Sequence, residues 1–126
     1  MKTAQSPPQA GFTLVEIMIV VAIIGLLAAI CIPNFVRARA TSQANACINN
    51  MRQIDCAIQQ FAMQKGLAAG AVINYPDDLT PYIKLNSSGE IPGCPASGTY
   101  TPLTVGSIPS VVCSISNTVT PAHMLQ

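Results

Sequence analysis

Few side chains of this 126-residue chain could do chemistry, because it has only five cysteines, one histidine and five acidic residues. A metal site built from the cysteines and the histidine would need four distant positions to converge. Those positions are Cys47, Cys94, Cys113 and His123. Because no C-x-x-C pair and no histidine pair supports such a site, we expect no metal and no cofactor.

Catalysis is not indicated either. The sequence shows no nucleophile–base pair, no glycine-rich phosphate loop and no cluster of acids, so we predict that the chain is not an enzyme and takes no small-molecule substrate. Asp77, Asp78 and Glu90 could offer oxygen ligands to calcium, but no recognisable ligand loop surrounds them, and helix capping explains the two aspartates. The six Lys and Arg residues are spread singly, which argues against a nucleic-acid surface.

One acid has an unusual place. Glu16 stands at the head of a charge-free run from 17 to 36. Twenty residues are enough for a helix to cross the hydrocarbon core of a bilayer. A carboxylate at membrane depth is costly unless it is paired, which favours a functional role for Glu16. The alternative is an acid that starts a helix at the level of the lipid headgroups.

The apolar run predicts a single-pass anchor rather than a cleaved secretory signal. The segment before it carries only Lys2, and the one small-x-small site, at 38–40, lies beyond the run and is flanked by arginines. Pro33 lacks an amide donor and clashes with the preceding turn, so we expect a kink or local melting of the helix there.

A second helical pattern follows the proline and carries one apolar stripe. Its members recur at alternating steps of four and three residues, which is typical of a helix with one buried face. They are Ala40, Ala44, Cys47, Met51, Ile54, Ile58 and Phe61. Gly66 is the predicted stop. One helix over residues 12–65 would extend about 80 Å, so part of it must contact lipid or other subunits.

The rest of the chain changes character. The segment "YPDDLTPYIK" (75–84) predicts a short helix with Leu79, Tyr82 and Ile83 facing inward. Three later segments, "GTYTPLTVG", "SVVCSIS" and "NTVTPAHMLQ", predict two to four short strands. The predicted fold class is therefore α+β, with a long N-terminal helix packed by a small β-rich head. We divide the chain into a leader (1–11), an apolar helix (12–36), an amphipathic helix (37–66) and the head (67–126).

The residues "GFTLVE" (11–16), followed by the apolar run and a proline, resemble the type IV prepilin signature of pilins and pseudopilins. The resemblance covers about the first third of the chain directly. The long helix with a small Thr- and Gly-rich head is similar to the family in outline, so a pilin-like fold is implied.

The resemblance implies that a prepilin peptidase cuts between Gly11 and Phe12, that Phe12 is N-methylated, and that an inner-membrane assembly platform moves the subunit into a helical filament of identical copies. Cleavage would create an α-amine four residues from Glu16. The amine of a neighbouring copy would then pair with this acid, and only one axial stagger of the helices would allow it. Such a pair fixes register rather than adding stability.

The resemblance also bears on the cysteines. The family commonly pins its C-terminal loop by a disulfide, so Cys94–Cys113 is the first expectation, with Cys47 as the alternative partner of either. Cys47 and Cys56 cannot bridge while both are helical, because nine residues give about 13 Å of rise. Cys31 is interpreted as packing within the apolar run.

The leading hypothesis is a structural subunit of a type IV pilus-like filament. It would be a single-pass inner-membrane protein before assembly, and part of a cell-surface fibre or periplasmic pseudopilus afterwards. One alternative is a pseudopilin or minor pilin of a secretion or DNA-uptake system. Another is a periplasmic binding module held by an uncleaved anchor.

Overall fold

The computed structural model describes residues 11–118 and 120–125. A long helix, α1, covers Leu14–Lys65, and a single turn of 3₁₀ helix covers Thr80–Tyr82. Two short strands follow, β1 at Tyr100–Pro102 and β2 at Val111–Cys113. The predicted α+β fold class, with one long N-terminal helix and a small β-containing C-terminal region, is confirmed.

Internal contacts divide the chain into two units, one up to Val36 and one from Arg37 onward. In the first unit the large apolar side chains of α1 are exposed, from Leu14 to Val36. Among the described residues, α1 is the one helix that is long and apolar enough to cross a membrane, and its most apolar stretch is not buried at all within the chain. The four-part division made from the sequence stays a prediction.

Helix α1 continues through Pro33. The residues on both sides of the proline keep helical backbone, so the expectation of local melting is wrong. A proline in a helix removes one hydrogen bond and crowds the carbonyl of the previous turn, but the remaining bonds of a long helix can hold both sides together. The kink at Pro33 stays a prediction.

The end of α1 is set by Gly66, as the sequence predicts. Gly66 has a φ of 63°, in the left-handed region where glycine pays no steric penalty. The amide of Leu67 donates to the carbonyl of Ala62 at 2.9 Å, and the amide of Gly66 donates to that of Met63 at 3.4 Å. These two bonds form a Schellman motif, which satisfies the last carbonyls of the helix.

The core of the second unit lies along the apolar stripe of α1. Six of the seven predicted stripe residues are buried, and Ala40 is half-buried. Ala57 and Ala62 widen the buried face. The stripe packs against Leu79, Tyr100 and Val111 of the head, so the helical periodicity gave the correct buried face.

The strands pair antiparallel, with Tyr100 opposite Cys113 and Pro102 opposite Val111. They fall in the first two predicted strand segments, "GTYTPLTVG" and "SVVCSIS". In the third segment the residues that the structure describes, 117–118 and 120–125, form no strand. Two strands lie within the predicted number.

The short helix predicted over 75–84 is wrong, since only the 3₁₀ turn at Thr80–Tyr82 forms there. Pro81 has no amide hydrogen and cannot donate to the carbonyl four residues earlier, and a ten-residue segment, unlike the long α1, has too few other helical bonds to compensate. The inward residues are nevertheless those expected. Leu79 is fully buried, and Tyr82 and Ile83 pack against the core.

Candidate functional site

The first candidate site is the start of α1. Phe12 is exposed and precedes the helix, and Thr13 is its N-cap residue. The Thr13 amide and hydroxyl both donate to Oε2 of Glu16 at 3.0 Å. The Glu16 amide donates back to the Thr13 hydroxyl at 3.2 Å. This reciprocal pair is a capping box, which satisfies amide groups that the first turn of a helix leaves free.

The capping box gives Glu16 a role within its own chain. The sequence contains the signal for it, a threonine three residues before a glutamate, which our sequence analysis missed. Both hydrogen bonds from Thr13 end on Oε2, so the other carboxylate oxygen can accept a bond from outside the chain. Helix capping and pairing with a neighbouring copy are therefore compatible.

The second candidate site is a group of four side chains in the second unit, which we call the thiol–imidazole cluster. Its members are Cys47, Cys94, Cys113 and His123. Their sulfur and ring-nitrogen atoms all lie within 4.8 Å of one another. No spacing in the sequence indicates that these four positions converge, but the folded head brings them together.

Four separate parts of the chain position the cluster. Cys47 lies on the buried face of α1, and Cys113 is the last residue of β2. Cys94 begins a tight turn in which the Ser97 amide donates to the Cys94 carbonyl at 3.0 Å. The segment that carries His123 is held by its backbone amide, which donates to the Ser116 carbonyl at 3.2 Å.

The cluster is closed off from solvent, since none of its members is more than 8% exposed. Burial raises the pKa of the Cys47 thiol to about 12. Burial also acts to raise the pKa of the Cys94 thiol, but hydrogen bonds from the amides of Ala96 and Gly98 and from the neighbouring thiols bring it below its ordinary value. Two thiols in one cluster thus have their pKa values shifted in opposite directions by their surroundings.

Close packing surrounds the cluster. A Cβ atom on Gly98 would lie 2.6 Å from Sγ of Cys113 and 2.8 Å from Cγ1 of Ile115, so only glycine fits at this position. The Tyr100 hydroxyl donates to the backbone carbonyl of Cys47 at 3.5 Å, which links β1 to α1 beside the cluster. Burial, followed by the nearby Cys47 thiol, raises the pKa of Tyr100.

All five cysteines are free thiols in the structure. Three of them belong to the cluster, whereas Cys31 and Cys56 are exposed on α1. The disulfide expected between Cys94 and Cys113, or with Cys47, stays a prediction, although the fold places all three sulfurs close together. Among the described residues, the cluster is the only group of three or more potential metal ligands, and the acids considered for calcium are not part of one.

A long helix with an exposed apolar N-terminal part, started by a threonine–glutamate capping box and followed by a small head, is consistent with a pilin-like α+β fold. The model of the prokaryotic N-terminal methylation motif matches residues 7–32. This range contains Gly11, Phe12 and Glu16. The motif and the relatives described next show that the N-terminal half of the chain is similar to that of type IV pilins and fimbrial proteins.

The type IV major pilin protein PilA of Myxococcus xanthus is 47% identical over 60 residues, which are 48% of this chain and 27% of that protein. The type IV major fimbrial protein FimA of Dichelobacter nodosus is 51% identical over 62 residues, 49% of this chain and 39% of that protein. A fimbrial protein of Pseudomonas aeruginosa is 41% identical over 56 residues, 44% of this chain and 36% of that protein.

The chain thus matches these curated relatives over between 27% and 39% of their own length. No solved structure matches it. The likeness covers about half of the chain.

Proposed function

We propose that this chain is a structural subunit of a type IV pilus-like filament, held in a membrane before assembly and in contact with identical copies afterwards. The methylation motif and the relatives named as major pilins and fimbrial proteins support this function. Such a subunit acts by assembly and not by catalysis, and it needs no small-molecule substrate.

The observation that carries the proposal is the exposed apolar surface of α1 between Leu14 and Val36. Contact of large aliphatic side chains with water has a considerable free-energy cost, so we expect lipid or protein to bury this surface. Lipid can do so first, and the helices of other subunits later. Small residues such as Ala22, Gly25 and Ala29 would allow close approach of neighbouring helices.

Processing follows from the same motif. A prepilin peptidase would cut between Gly11 and Phe12 and leave Phe12 as the N-methylated first residue. A methylated amine keeps its positive charge, so it can pair with the Glu16 carboxylate of an adjacent copy. An assembly platform in the inner membrane would then transfer the subunit into the filament. The mature subunit would be found at the cell surface or, in a short fibre, in the periplasm.

A pseudopilin or minor pilin that starts or terminates short fibres is the second candidate function, and it would differ from a major pilin in its copy number. A binding module with an uncleaved anchor is less well supported, since the matched range includes Gly11 and Phe12, between which the proposed cleavage would fall.

The test is mass spectrometry of the N-terminal peptide from the membrane and sheared-fibre fractions of cells that contain a prepilin peptidase. We expect a peptide that begins at methylated Phe12. The control is Gly11→Leu, which should leave the heavier, uncleaved chain in the membrane fraction. Exported wild-type protein with residues 1–11 still attached would contradict the proposal.

A further inference from the structure

We propose that the thiol–imidazole cluster is a structural zinc site that fastens the head to α1. Its ligands would be Cys47, Cys94, Cys113 and His123. The inference is independent of filament assembly, because it rests on the second unit alone.

The geometry supports tetrahedral coordination. A zinc ion with Zn–S bonds of about 2.3 Å places its ligand atoms about 3.8 Å apart at the corners of a tetrahedron. The four ligand atoms here all lie within 4.8 Å of one another, and Sγ of Cys94 is 3.6 Å from Nδ1 of His123. A contraction of about 1 Å at most would therefore form the site, which side-chain rotations can supply.

The donor set selects the metal. Three thiolates and one imidazole form a closed Cys₃His set, which is a ligand combination of structural zinc sites and is too soft for calcium or magnesium. Binding of Zn²⁺ would release the three thiol protons and leave the centre with a single negative charge. The amides of Ala96 and Gly98, which hydrogen-bond to Cys94, are placed to stabilise that charge.

A disulfide explains the same cluster less completely. A bridge between any two of the sulfurs would leave the third thiol and the buried imidazole of His123 without a role. Zinc uses all four side chains, and it would replace the hydrogen bond between the Cys94 sulfur and Nδ1 of His123 by a metal bond to each. The two outcomes exclude each other, because a sulfur in a disulfide is not a thiolate ligand.

A zinc site would add stability to a head that has few other sources of it. In the part of the head that the structure describes, the sheet has two strands of three residues each, and a small domain buries little apolar surface from which to gain stability. Zinc would connect α1, the turn after Cys94, the end of β2 and the C-terminal segment at one point. A metal of this kind contributes its binding free energy directly to folding.

The first experiment is elemental analysis of the full chain, purified in detergent under reducing conditions without chelator or added metal. We expect about one zinc per chain, the stoichiometry of a single closed site. Replacement of the zinc by Co²⁺ should give the thiolate charge-transfer bands and intense visible bands of tetrahedral cobalt. This measurement uses the wild-type chain, so it does not depend on whether a variant folds.

Variants then assign the ligands. Cys113→Ser and His123→Ala should each reduce zinc retention to less than about a tenth of the wild-type value after the same washing, since an open three-ligand site holds the ion weakly. Cys56→Ser is the matched control, because it removes an exposed thiol of the same chain and should retain full zinc. His123→Cys should keep the metal and increase the intensity of the cobalt charge-transfer bands.

The proposal is overturned if the reduced chain holds no stoichiometric zinc and gives no tetrahedral cobalt spectrum. It is also overturned if another metal occupies the site at equal stoichiometry when zinc is present. Finally, intact-mass analysis of the chain isolated without reductant could show a disulfide within the cluster and no zinc, which would establish the bridge in place of the metal.

Discussion

At the scale of single residues, Glu16 has one observed role and one proposed role, which separate variants can distinguish. Within its own chain it completes the capping box with Thr13. In a filament it would receive the charged amine of a neighbouring copy and so set the stagger of the helices. The first role needs both residues, whereas the second needs only the carboxylate.

We therefore expect Thr13→Ala and Glu16→Ala to differ. Thr13→Ala should weaken the start of α1 by about 1 kcal/mol, the usual cost of losing an N-cap, yet still assemble into filaments. Glu16→Ala should be inserted into the membrane and processed normally but be absent from sheared fibres. Immunoblots of membrane and sheared-fibre fractions measure both effects.

The two variants together separate the roles. Equal loss of fibres from both would reduce Glu16 to a capping residue. Wild-type amounts of fibre from Glu16→Ala would refute the register role altogether. Glu90→Ala is a suitable control, since it removes an exposed acid of the head.

At the scale of elements, the two parts of α1 differ in which of their side chains are buried. Its N-terminal part exposes apolar side chains all round, and its C-terminal part buries a single stripe against the head. Met51, Ile54 and Ile58 are almost completely inaccessible to solvent, so the head is held mainly by contacts along this stripe. Asn50 adds a directional contact by donating to the Gly93 carbonyl at 3.0 Å.

Ile54→Ala should destabilise the second unit by about 2–5 kcal/mol, because it leaves a cavity beneath the head. Denaturant unfolding of the full chain in detergent, followed by tyrosine fluorescence, measures the shift in midpoint. The chain has no tryptophan, so its three tyrosines give the signal. Gln53→Ala, at the exposed neighbouring position, should change the free energy of unfolding by less than about 0.5 kcal/mol. Equal midpoints for both variants would contradict the observed buried face.

At the scale of the whole molecule, the solvent exposure of two helical cysteines shows which face of α1 the head buries. Cys47 and Cys56 lie nine residues apart on one helix, yet Cys47 is fully buried beneath the head and Cys56 is exposed. The two thiols therefore have similar local structure and differ in their tertiary surroundings.

In reduced, chelator-treated full chain, we expect maleimide to modify Cys56 at least about a hundredfold faster than Cys47, because a buried amide or thiol reacts only through opening of the structure. Peptide mapping by mass spectrometry at successive times measures the two rates. Chelation removes any protection by a metal, and circular dichroism of the same sample checks that the head is still folded, so that the comparison tests burial alone. Comparable rates would show that the head does not cover this face of α1.

The sequence was sufficient for the features that a few neighbouring residues encode. The apolar run, the alternating steps of the stripe and the glycine stop predicted α1 and its buried face, and the β-branched segments around Tyr100 and Val112 predicted both strands. The short helix over 75–84 was predicted wrongly, because the missing amide of Pro81 outweighed its apolar spacing. The capping box could have been predicted, since its threonine and glutamate are three residues apart.

What the sequence by itself determined is the N-terminal half, namely the methylation motif, the membrane-length apolar surface and the stripe that a head must cover. Only the tertiary structure decided that Cys47 of the helix meets a turn cysteine, a strand cysteine and the lone histidine. The physical reason is separation along the chain. Helical periodicity and turn signals act over a few residues, whereas the approach of residues 47 and 123 depends on how every intervening turn packs against α1.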